Sequence, residues 1–299
     1  GRATFLVCPS LIAMAFSQRR SLSAFSVVAG FFTLGQVSIW CFTGAALHGL
    51  RPSRRAALRA DIAVSEVTTE VRGEEGTDNF RRFFLAREKE ISPWHDLPLA
   101  AEAKGEYFMV TEIPKHTKPK MEIATKESLN PIAQDTKKGK LREYHGPIYW
   151  NYGYLPQTWE DPEVEHPELK VKGDNDPVDV VEIGSRAHQQ GEIVQVKVLG
   201  ALAMIDDGEL DWKILAISMD DPMASELSSL KDVEAKLPGH ISGIREWFRW
   251  YKSPDGKPLN NFGFDEEPLD AAGAIEVIEE THGYWKKLRE TGHGNLWVG

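Results

Sequence analysis

Cysteine is almost absent from this sequence of 299 residues. The two that occur, Cys8 and Cys41, both lie within the first 60 residues, so residues 61–299 have no thiol. That part of the chain therefore cannot form a disulfide framework, a cysteine-ligated zinc site or a cysteine nucleophile. The sequence also has no Asn-x-Ser/Thr site, so it carries no mark of a glycosylated extracellular protein.

Acidic residues are missing from the first 60 positions, which contain seven arginines but no aspartate, glutamate or lysine. A run without formal charge, residues 21–50, lies between Arg20 and a stretch rich in Arg and Ala. This order predicts that residues 1–60 are a targeting leader, and it resembles the two-part leaders of algae with complex plastids. We therefore expect a plastid location, with the mitochondrion or the cytoplasm as alternatives.

A membrane anchor is the other interpretation of the same run, because ~20 apolar residues can span a bilayer. Ser, Thr, Gly and Gln dilute its apolar character, which favours removal of the leader over anchoring. We expect no stable membrane association once the leader is removed.

Positive charge is scarce beyond residue 60, where 28 basic residues stand against 45 acidic ones. The net charge of that part is −17, compared with −10 for the whole chain. A nucleic-acid surface needs a basic face to neutralise phosphates, so we expect no nucleic-acid partner.

The remainder of the chain reads as a linker followed by one domain. Residues 61–78 are polar and aperiodic, and we interpret them as the linker to a domain at 79–299. Short segments rich in Val, Ile and aromatic residues predict strands at 106–114, 120–125, 192–205 and 212–219. Helical spacing occurs only later, over 241–251 and 275–288. Strands followed by helices predict an α+β domain.

The segment GDNDPVDVVEIG, at residues 173–184, places three aspartates within six positions. In an extended chain Asp174 and Asp176 project to the same side, and Pro177 bends the backbone so that Asp179 can join them. Three carboxylates so close repel one another unless a cation lies among them. A solvated acidic turn is the alternative, since Asp, Asn, Gly and Pro are common turn residues.

An EF-hand is a poor description of this segment. That loop requires Asp or Asn at the position of Val178, Gly at that of Asp179 and Glu at that of Ser185. The sequence departs from the motif at all three positions.

A second acidic turn, IDDGELDWK at residues 205–213, joins two of the predicted strands. A tight hairpin there would place Asp206 and Asp211 on opposite flanks of the loop, with Lys213 on the face of Asp211. Hard oxygen ligands of this kind suit Mg²⁺ or Mn²⁺, which are commonly held by carboxylates together with substrate phosphate. Basic groups beside such ligands indicate an anionic substrate.

Several further segments follow one another in a specific order. They are WHDLPL, EIPKHTKPKMEI, LNPIAQDTKKGKLR, NYGYLPQTWEDP, GDNDPVDVVEIG, GELDWKILAI, EWFRWYKSPDGKP and ETHGYWKKL. Together they closely resemble the family I soluble inorganic pyrophosphatases, in particular the eukaryotic branch, over residues 83–290. The segment D-x-D-P-x-D at 174–179 matches the signature of that family.

The resemblance implies a five-stranded β-barrel of the OB type, with additional strands and C-terminal helices packed on it. It also implies hydrolysis of pyrophosphate to two phosphates by a metal-activated water, with several Mg²⁺ ions, for which Mn²⁺ or Zn²⁺ could substitute. Asp176 would be the general base, and Asp179 would bridge two ions. The implied metal ligands are Asp174, Asp179, Asp211, Asp206 and Glu122. The implied supporting residues are Glu112 and Glu160. The implied phosphoryl-binding residues are Lys120, Arg142, Tyr152, Lys213, Tyr251 and Lys252.

The chain departs from the fungal and animal members of the family at two places. Where they have a tyrosine soon after a glycine, this chain has Pro147 and Ile148. A proton-donor role is sometimes given to that tyrosine. We assign this role to no residue here, including the neighbouring Tyr149. The segment IPKHTK lacks the Arg-Trp pair that contributes to the fungal dimer interface. We therefore leave homodimer and monomer as alternatives.

Two other functions remain open on the sequence alone. One is a non-catalytic barrel that binds anions, but a structural metal site would not need Asp176 as an unengaged base. The other is a two-metal phosphatase for organic phosphates, which choice of substrate would distinguish.

Overall fold

The computed structural model describes residues 62–299, and strands are the main regular secondary structure of its first two thirds. The strands up to the acidic motif are β1 (Val67–Arg72), β2 (Arg81–Ala86), β3 (Lys89–Ile91), β4 (Glu106–Ile113), β5 (Met121–Ile123), β6 (Ile132–Gln134), β7 (Thr136–Lys137), β8 (Lys140–Leu141), β9 (Asn151–Tyr154) and β10 (Lys172–Gly173). The later strands are β11 (Asp179–Glu182), β12 (Ile193–Asp206), β13 (Glu209–Ser218), β14 (Asn261–Phe262) and β15 (Leu269–Asp270). The helices are α1 (Leu230–Lys236), α2 (His240–Trp250) and α3 (Ala271–Thr291).

Five strands form a closed ring. The strand β4 pairs with β12, which pairs with β13. The ring continues from β13 to β11 and from β11 to β9, and β9 returns to β4. Of the five pairings that close this ring, only that of β11 with β13 is parallel. This ring and the later helices confirm the five-stranded α+β architecture that the sequence predicts.

The ring is stable because its strands bury apolar side chains on both sides. On β12 and β13 the buried residues belong to two hydrophobic clusters, one of which also contains Ala274, Val277 and Ile278 of α3. Burial of each such side chain contributes about 1.5–3 kcal/mol. The near-continuous apolar sequences of β12 and β13 therefore reflect two buried faces rather than one.

The predicted hairpin at 205–213 is present, with β12 and β13 joined by a two-residue turn. Asp207 and Gly208 form this turn with φ values of 50° and 95°. Positive φ at both central positions suits the twist of an antiparallel hairpin, and Asp-Gly is a preferred pair for it. The turn places Asp206 at the end of β12 and Asp211 near the start of β13.

The two longer helices pack their apolar faces on the strands. The helix α2 buries Ile244 and Phe248, as its predicted apolar face requires. The buried face of α3 includes Val277, Ile278 and Leu288, and its N-cap Asp270 accepts a hydrogen bond from a backbone N–H of the first turn. The helix α2 carries Tyr251 and Lys252 directly after its C-terminus, at the rim of the ring.

The segment 61–78, predicted to be an irregular linker, contains a strand. All six residues of β1 pair with β2, which belongs to a second sheet ordered β1-β2-β6-β5. Five of the six β1 side chains are exposed, so backbone hydrogen bonds rather than an apolar pattern specify the strand. Val67–Arg72 is therefore ordered as a strand, which the aperiodic sequence did not indicate, and the role of residues 61–78 as a linker stays a prediction. The predicted leader, residues 1–60, lies outside the residues that the structure describes. Among residues 62–299, no helix is long and apolar enough to cross a membrane.

Candidate active site

A cavity of about 1010 Å³ opens beside β5, the start of β11, β13 and the end of α2. All of the predicted site residues except Glu160 line it. They are Glu112, Lys120, Glu122, Arg142, Tyr152, Asp174, Asp176, Asp179, Asp206, Asp211, Lys213, Tyr251 and Lys252. Residues separated by up to 140 positions in the sequence thus meet in one pocket.

The aspartate loop is fixed by backbone contacts with the segment that contains Glu160. The N–H of Asn175 donates to the Glu160 carbonyl at 3.0 Å, and the N–H of Glu160 donates to the Asp176 carbonyl at 2.9 Å. Asp174 Oδ1 accepts from the N–H of Asp176 at 3.0 Å. A Cβ at Gly173 would lie 2.5 Å from the Glu160 carbonyl carbon, so this close approach requires glycine.

Three carboxylates form the tightest acidic cluster of the described residues. Oxygens of Glu160, Asp174 and Asp211 lie within 4.8 Å of one another. Burial, followed by repulsion from the neighbouring carboxylates, raises the pKa of Glu160 and of Asp174 well above the usual range. Burial also raises the pKa of Asp211, to about 7. Such a group of hard oxygens, in which only Asp211 pairs with a lysine, fits a divalent cation.

Lys213 links this cluster to Asp179. Its Nζ lies 2.5 Å from Asp179 Oδ2, and it also pairs with Asp211. The Tyr152 hydroxyl donates to Asp179 as well. Burial lowers the pKa of Lys213, but the charges of Asp179 and Asp211 outweigh it and raise the pKa above the usual value. The lysine is therefore charged although it is almost fully buried.

Asp176 lies apart from the lysine contacts. Although its side chain is accessible from the pocket, enclosure by the pocket walls and the negative charges of Glu122 and Asp179 raise its pKa to about 7. Lys120 and Lys126 oppose this shift. A carboxyl with such a pKa can exchange a proton near neutral pH.

Cationic groups line another part of the cavity, which we call the cationic wall. Lys120 lies 2.5 Å from Glu122 and 3.1 Å from Asp135, and Arg142 pairs with the same Asp135. Burial lowers the pKa of Lys120, but Glu122 and the other anionic neighbours raise it overall. These cations are held in place by carboxylates that also line the cavity.

Another ion pair of the cavity lies where α2 ends. Lys252 pairs with Asp206, and the Tyr251 hydroxyl donates to Asp206 at 3.0 Å. Burial, followed by the charge of Asp206, raises the pKa of Tyr251 well above the usual value, so its hydroxyl stays protonated. The hairpin carboxylate and the helix terminus thus fix each other.

The two predicted supporting glutamates bond to the backbone of strands that carry site residues. Glu112 Oε1 accepts from the N–H of Ile123 on β5 at 2.6 Å. Glu160 Oε1 accepts from the N–H of Trp212 on β13 at 2.8 Å. Burial, followed by the charge of Asp179, raises the pKa of Glu112 well above the usual range.

The cavity lining includes residues that the sequence did not single out, among them Lys126, Asp135 and Tyr144. A signal for Tyr144 was available, because it stands two positions after Arg142 in an extended segment and so shares its face. Tyr149, whose role the sequence left unassigned, is 53% exposed and its ring lies against His116 outside the pocket.

Comparison with known proteins gives matches to inorganic pyrophosphatases. A model of the inorganic pyrophosphatase family matches residues 109–286. The protein named soluble inorganic pyrophosphatase 6, chloroplastic, from Arabidopsis thaliana is 49% identical over 250 residues, which cover 83% of this chain and 82% of that protein.

Solved structures give the same result. The type I inorganic pyrophosphatase of Toxoplasma gondii is 48% identical, with a TM-score of 0.72 over 74% of this chain and 99% of that one. The vacuolar soluble pyrophosphatase of Trypanosoma cruzi, truncated at its N-terminal domain and in complex with PPi, is 42% identical, with a TM-score of 0.74 over 77% of this chain and 95% of that one. The chain therefore belongs to the inorganic pyrophosphatase family.

Proposed function

We propose that this chain hydrolyses inorganic pyrophosphate to two phosphates in a Mg²⁺-dependent reaction, with Asp176 as general base. The observation that carries the proposal is one cavity lined both by a cluster of carboxylates and by cationic side chains that ion pairs hold in place. Carboxylates alone would repel a polyanion, and cations alone would not activate water. The pocket contains both.

The carboxylates fit a hard divalent cation. We assign Asp174, Asp179 and Asp211 to the tighter site, with Asp206 and Glu122 for ions that arrive with the substrate. The raised pKa values of Asp174 and Asp211 support this assignment, since these groups lack sufficient positive compensation. A divalent cation bound there supplies charge neutralisation and a more acidic water. Mg²⁺ suits this donor set, and Mn²⁺ or Zn²⁺ could replace it.

Glu160 lies closer to the proposed metal ligands Asp174 and Asp211 than its implied supporting role suggests. Its carboxylate completes the group of oxygens with Asp174 and Asp211, whereas Asp179 is paired with Lys213. We propose that Glu160 supports the ligands, because it also accepts the Trp212 N–H and is thereby fixed. Displacement of Lys213 from Asp179 by a cation would leave the ammonium available to the substrate.

The cationic and hydroxyl groups bind the phosphoryl oxygens in this proposal. The residues concerned are Lys120, Arg142, Tyr152, Lys213, Tyr251 and Lys252. Charge-assisted hydrogen bonds from fixed donors stabilise the negative charge that grows on the leaving phosphate. Asp176 accepts the proton of the attacking water, and its pKa of about 7 suits that role near neutral pH.

The cellular setting is also a proposal. We propose that residues 1–60 are a removable leader, residues 61–78 connect it to the domain, and residues 79–299 carry the activity. The acid-free composition of the leader and the chloroplastic relative in Arabidopsis support a plastid location. Because β1 pairs with β2, a shortened protein should keep Val67–Arg72.

Phosphate release from the purified protein tests the proposal. We expect rapid release from pyrophosphate with Mg²⁺ and loss of that release with excess chelator. A nucleoside monophosphate serves as the comparison substrate, because a cavity of about 1010 Å³ could admit one. Equal release from both substrates would favour a general phosphatase, and no release from a folded, metal-binding protein would favour a non-catalytic anion-binding barrel.

A further inference from the structure

The hydroxyl of Tyr144 differs from the other tyrosine hydroxyls of the pocket. Tyr152 donates to Asp179 and Tyr251 donates to Asp206, while the hydroxyl of Tyr154 is sealed inside the protein. Tyr144 has no hydrogen-bond partner for its hydroxyl among the described residues, and that oxygen is not among the sealed ones. Its side chain as a whole is only 7% exposed, and it lines the cavity.

The backbone explains why Tyr144 faces the cavity. The segment at Glu143 forms an antiparallel bridge with Pro119, and the N–H of Lys120 donates to the Arg142 carbonyl at 3.0 Å. On the other side of the bridge the N–H of Tyr144 donates to the Lys118 carbonyl at 2.8 Å. Side chains two apart in such a pairing lie on one face, so Tyr144 lies beside Arg142 on the cationic wall.

The aromatic ring of Tyr144 is held firmly. It packs edge-on against Trp247, with ring centroids 5.0 Å apart, and against Tyr251 at 5.9 Å. Aromatic packing of this kind fixes the direction of the hydroxyl, which reduces the entropy lost when a ligand binds. Tyr144 is therefore a pre-organised donor.

The charges around the hydroxyl determine what it can bind. Burial raises the pKa of Tyr144 above its usual value, although the positive charges of Lys120 and Lys213 oppose the shift. The hydroxyl thus stays protonated and can donate. Asp179 and Glu112 act on the same hydroxyl, but the two lysines act more strongly. A buried tyrosine hydroxyl usually has a partner, and an acceptor that also suits Lys120, Lys213 and Arg142 is an anionic oxygen.

We propose that the Tyr144 hydroxyl donates a hydrogen bond to a phosphoryl oxygen of the bound diphosphate, and that it is a further substrate-binding residue of this pocket. The inference rests on the proposed function, since it concerns the same substrate. It gives the chain a third contacting tyrosine beside Tyr152 and Tyr251. That tyrosine is not Tyr149, and it precedes Pro147 and Ile148, where the sequence departs from the fungal and animal relatives.

The test compares Tyr144→Phe with the full unmodified chain and with a control, Tyr107→Phe. Tyr107 is equally buried but does not line this cavity. The probe is methylenediphosphonate, which has no hydrolysable anhydride, titrated by calorimetry in the presence of Mg²⁺. A hydrogen bond to a charged oxygen predicts roughly 10- to 100-fold weaker binding for Tyr144→Phe. Tyr107→Phe should bind as the unmodified chain does, and Mg²⁺ affinity without the probe should be the same for all three.

The outcomes separate the two proposals. If the unmodified chain binds the probe and Tyr144→Phe binds it equally well, the role of Tyr144 is wrong while the proposed function stands. If the unmodified chain neither binds the probe nor hydrolyses pyrophosphate, the proposed function fails. A crystal structure of the unmodified chain with Mg²⁺ and the probe gives an answer even if Tyr144→Phe does not fold. A Tyr144 oxygen about 2.5–3.0 Å from a phosphoryl oxygen supports the contact, and one beyond hydrogen-bond range or bridged only by water overturns it.

Discussion

The ammonium of Lys213 lies 2.5 Å from Oδ2 of Asp179 and so joins two neighbouring parallel strands across the base of the pocket. Lys213 also pairs with Asp211, two positions earlier on the same strand. It is 1% exposed, so these carboxylates are what compensates its charge. In the metal-free protein the lysine in turn compensates the acidic cluster.

Replacing Lys213 with methionine should destabilise the metal-free protein strongly. Removal of one partner from a buried ion pair leaves uncompensated charge and costs about 3–5 kcal/mol. Mg²⁺ should restore part of this free energy of unfolding, because it compensates the same carboxylates. Denaturant titrations with chelator and with Mg²⁺ measure both effects. The control is Lys236→Met, whose partner Glu226 is exposed and whose effect should stay within about 1 kcal/mol. Equal losses in the two variants would contradict the buried role of Lys213.

Asp176→Asn should slow turnover while leaving metal binding largely intact. Removal of a general base typically costs about 10²–10⁴-fold in rate. Asp179→Ala should instead reduce both metal affinity and rate, since that carboxylate is assigned to the metal. Steady-state kinetics and metal titration by calorimetry distinguish the two variants. Full activity together with full metal binding in both would show that the site is assigned incorrectly.

The metal-free protein should lose stability as the pH rises. The folded pKa values of Asp176 and Asp211 are about 7, whereas an unfolded aspartate has a pKa of ~3.9. Groups raised in this way favour the folded state below the unfolded pKa, and that advantage is lost between about pH 4 and 7. Mg²⁺ should therefore raise the melting temperature more at pH 8 than at pH 5. Asp176→Asn should show a weaker pH dependence with chelator, and an equal Mg²⁺ effect at both pH values would argue against buried, uncompensated carboxylates.

The C-terminal segment should stabilise one wall of the pocket. The N–H of Trp297 donates to the Thr125 carbonyl at 2.9 Å, and Leu296 is buried in the main hydrophobic cluster. Ending the chain after Gly294 should cost roughly 2–5 kcal/mol, the usual loss for removing a buried leucine. Amide hydrogen exchange should then accelerate over residues 124–130, which include Lys126 at the cavity. Removing Val298 and Gly299 alone is the control. Unchanged exchange in the shorter protein would show that the wall is stable without this contact.

The leader should be absent from the working enzyme. Its lack of acidic residues and its apolar run motivate this expectation. N-terminal sequencing of native protein should find a start near residue 61. Met14 is the first methionine of the sequence. A native protein that begins at or before Met14 would instead show that the segment is retained, as a membrane anchor requires.

Much of the site could be predicted because local rules specify it. The Asp-Gly turn fixes the hairpin, and a period of two then places Asp211 and Lys213 on one face. These relationships require only neighbouring residues, so the sequence determines them without knowledge of the rest of the fold. Asp174 and Asp176 both line the cavity as predicted, but the extended conformation predicted for this segment is wrong. Asn175 between them has a φ of 77°, and the N–H of Asp176 donates to Asp174 Oδ1 within a turn.

The remaining features depend on contacts between distant segments. Asp135 reaches Lys120 and Arg142 only because residues 118–120 pair with 142–144, and no local pattern specifies that pairing. Glu160 joins the carboxylates because its backbone binds the aspartate loop. The strand β1 is polar and exposed, so apolar periodicity could not reveal it.

The register of β11 against β13 limits how this enzyme can vary during evolution. Asp179 pairs with Lys213 in that register, and Val180 with Ile214. A single inserted or deleted residue within either strand would turn each following side chain to the opposite face, so that an apolar residue would replace a charged one at the base of the pocket. Substitutions can alter the site gradually, but length changes in these strands cannot. Insertions should therefore be confined to the segments outside these paired strands.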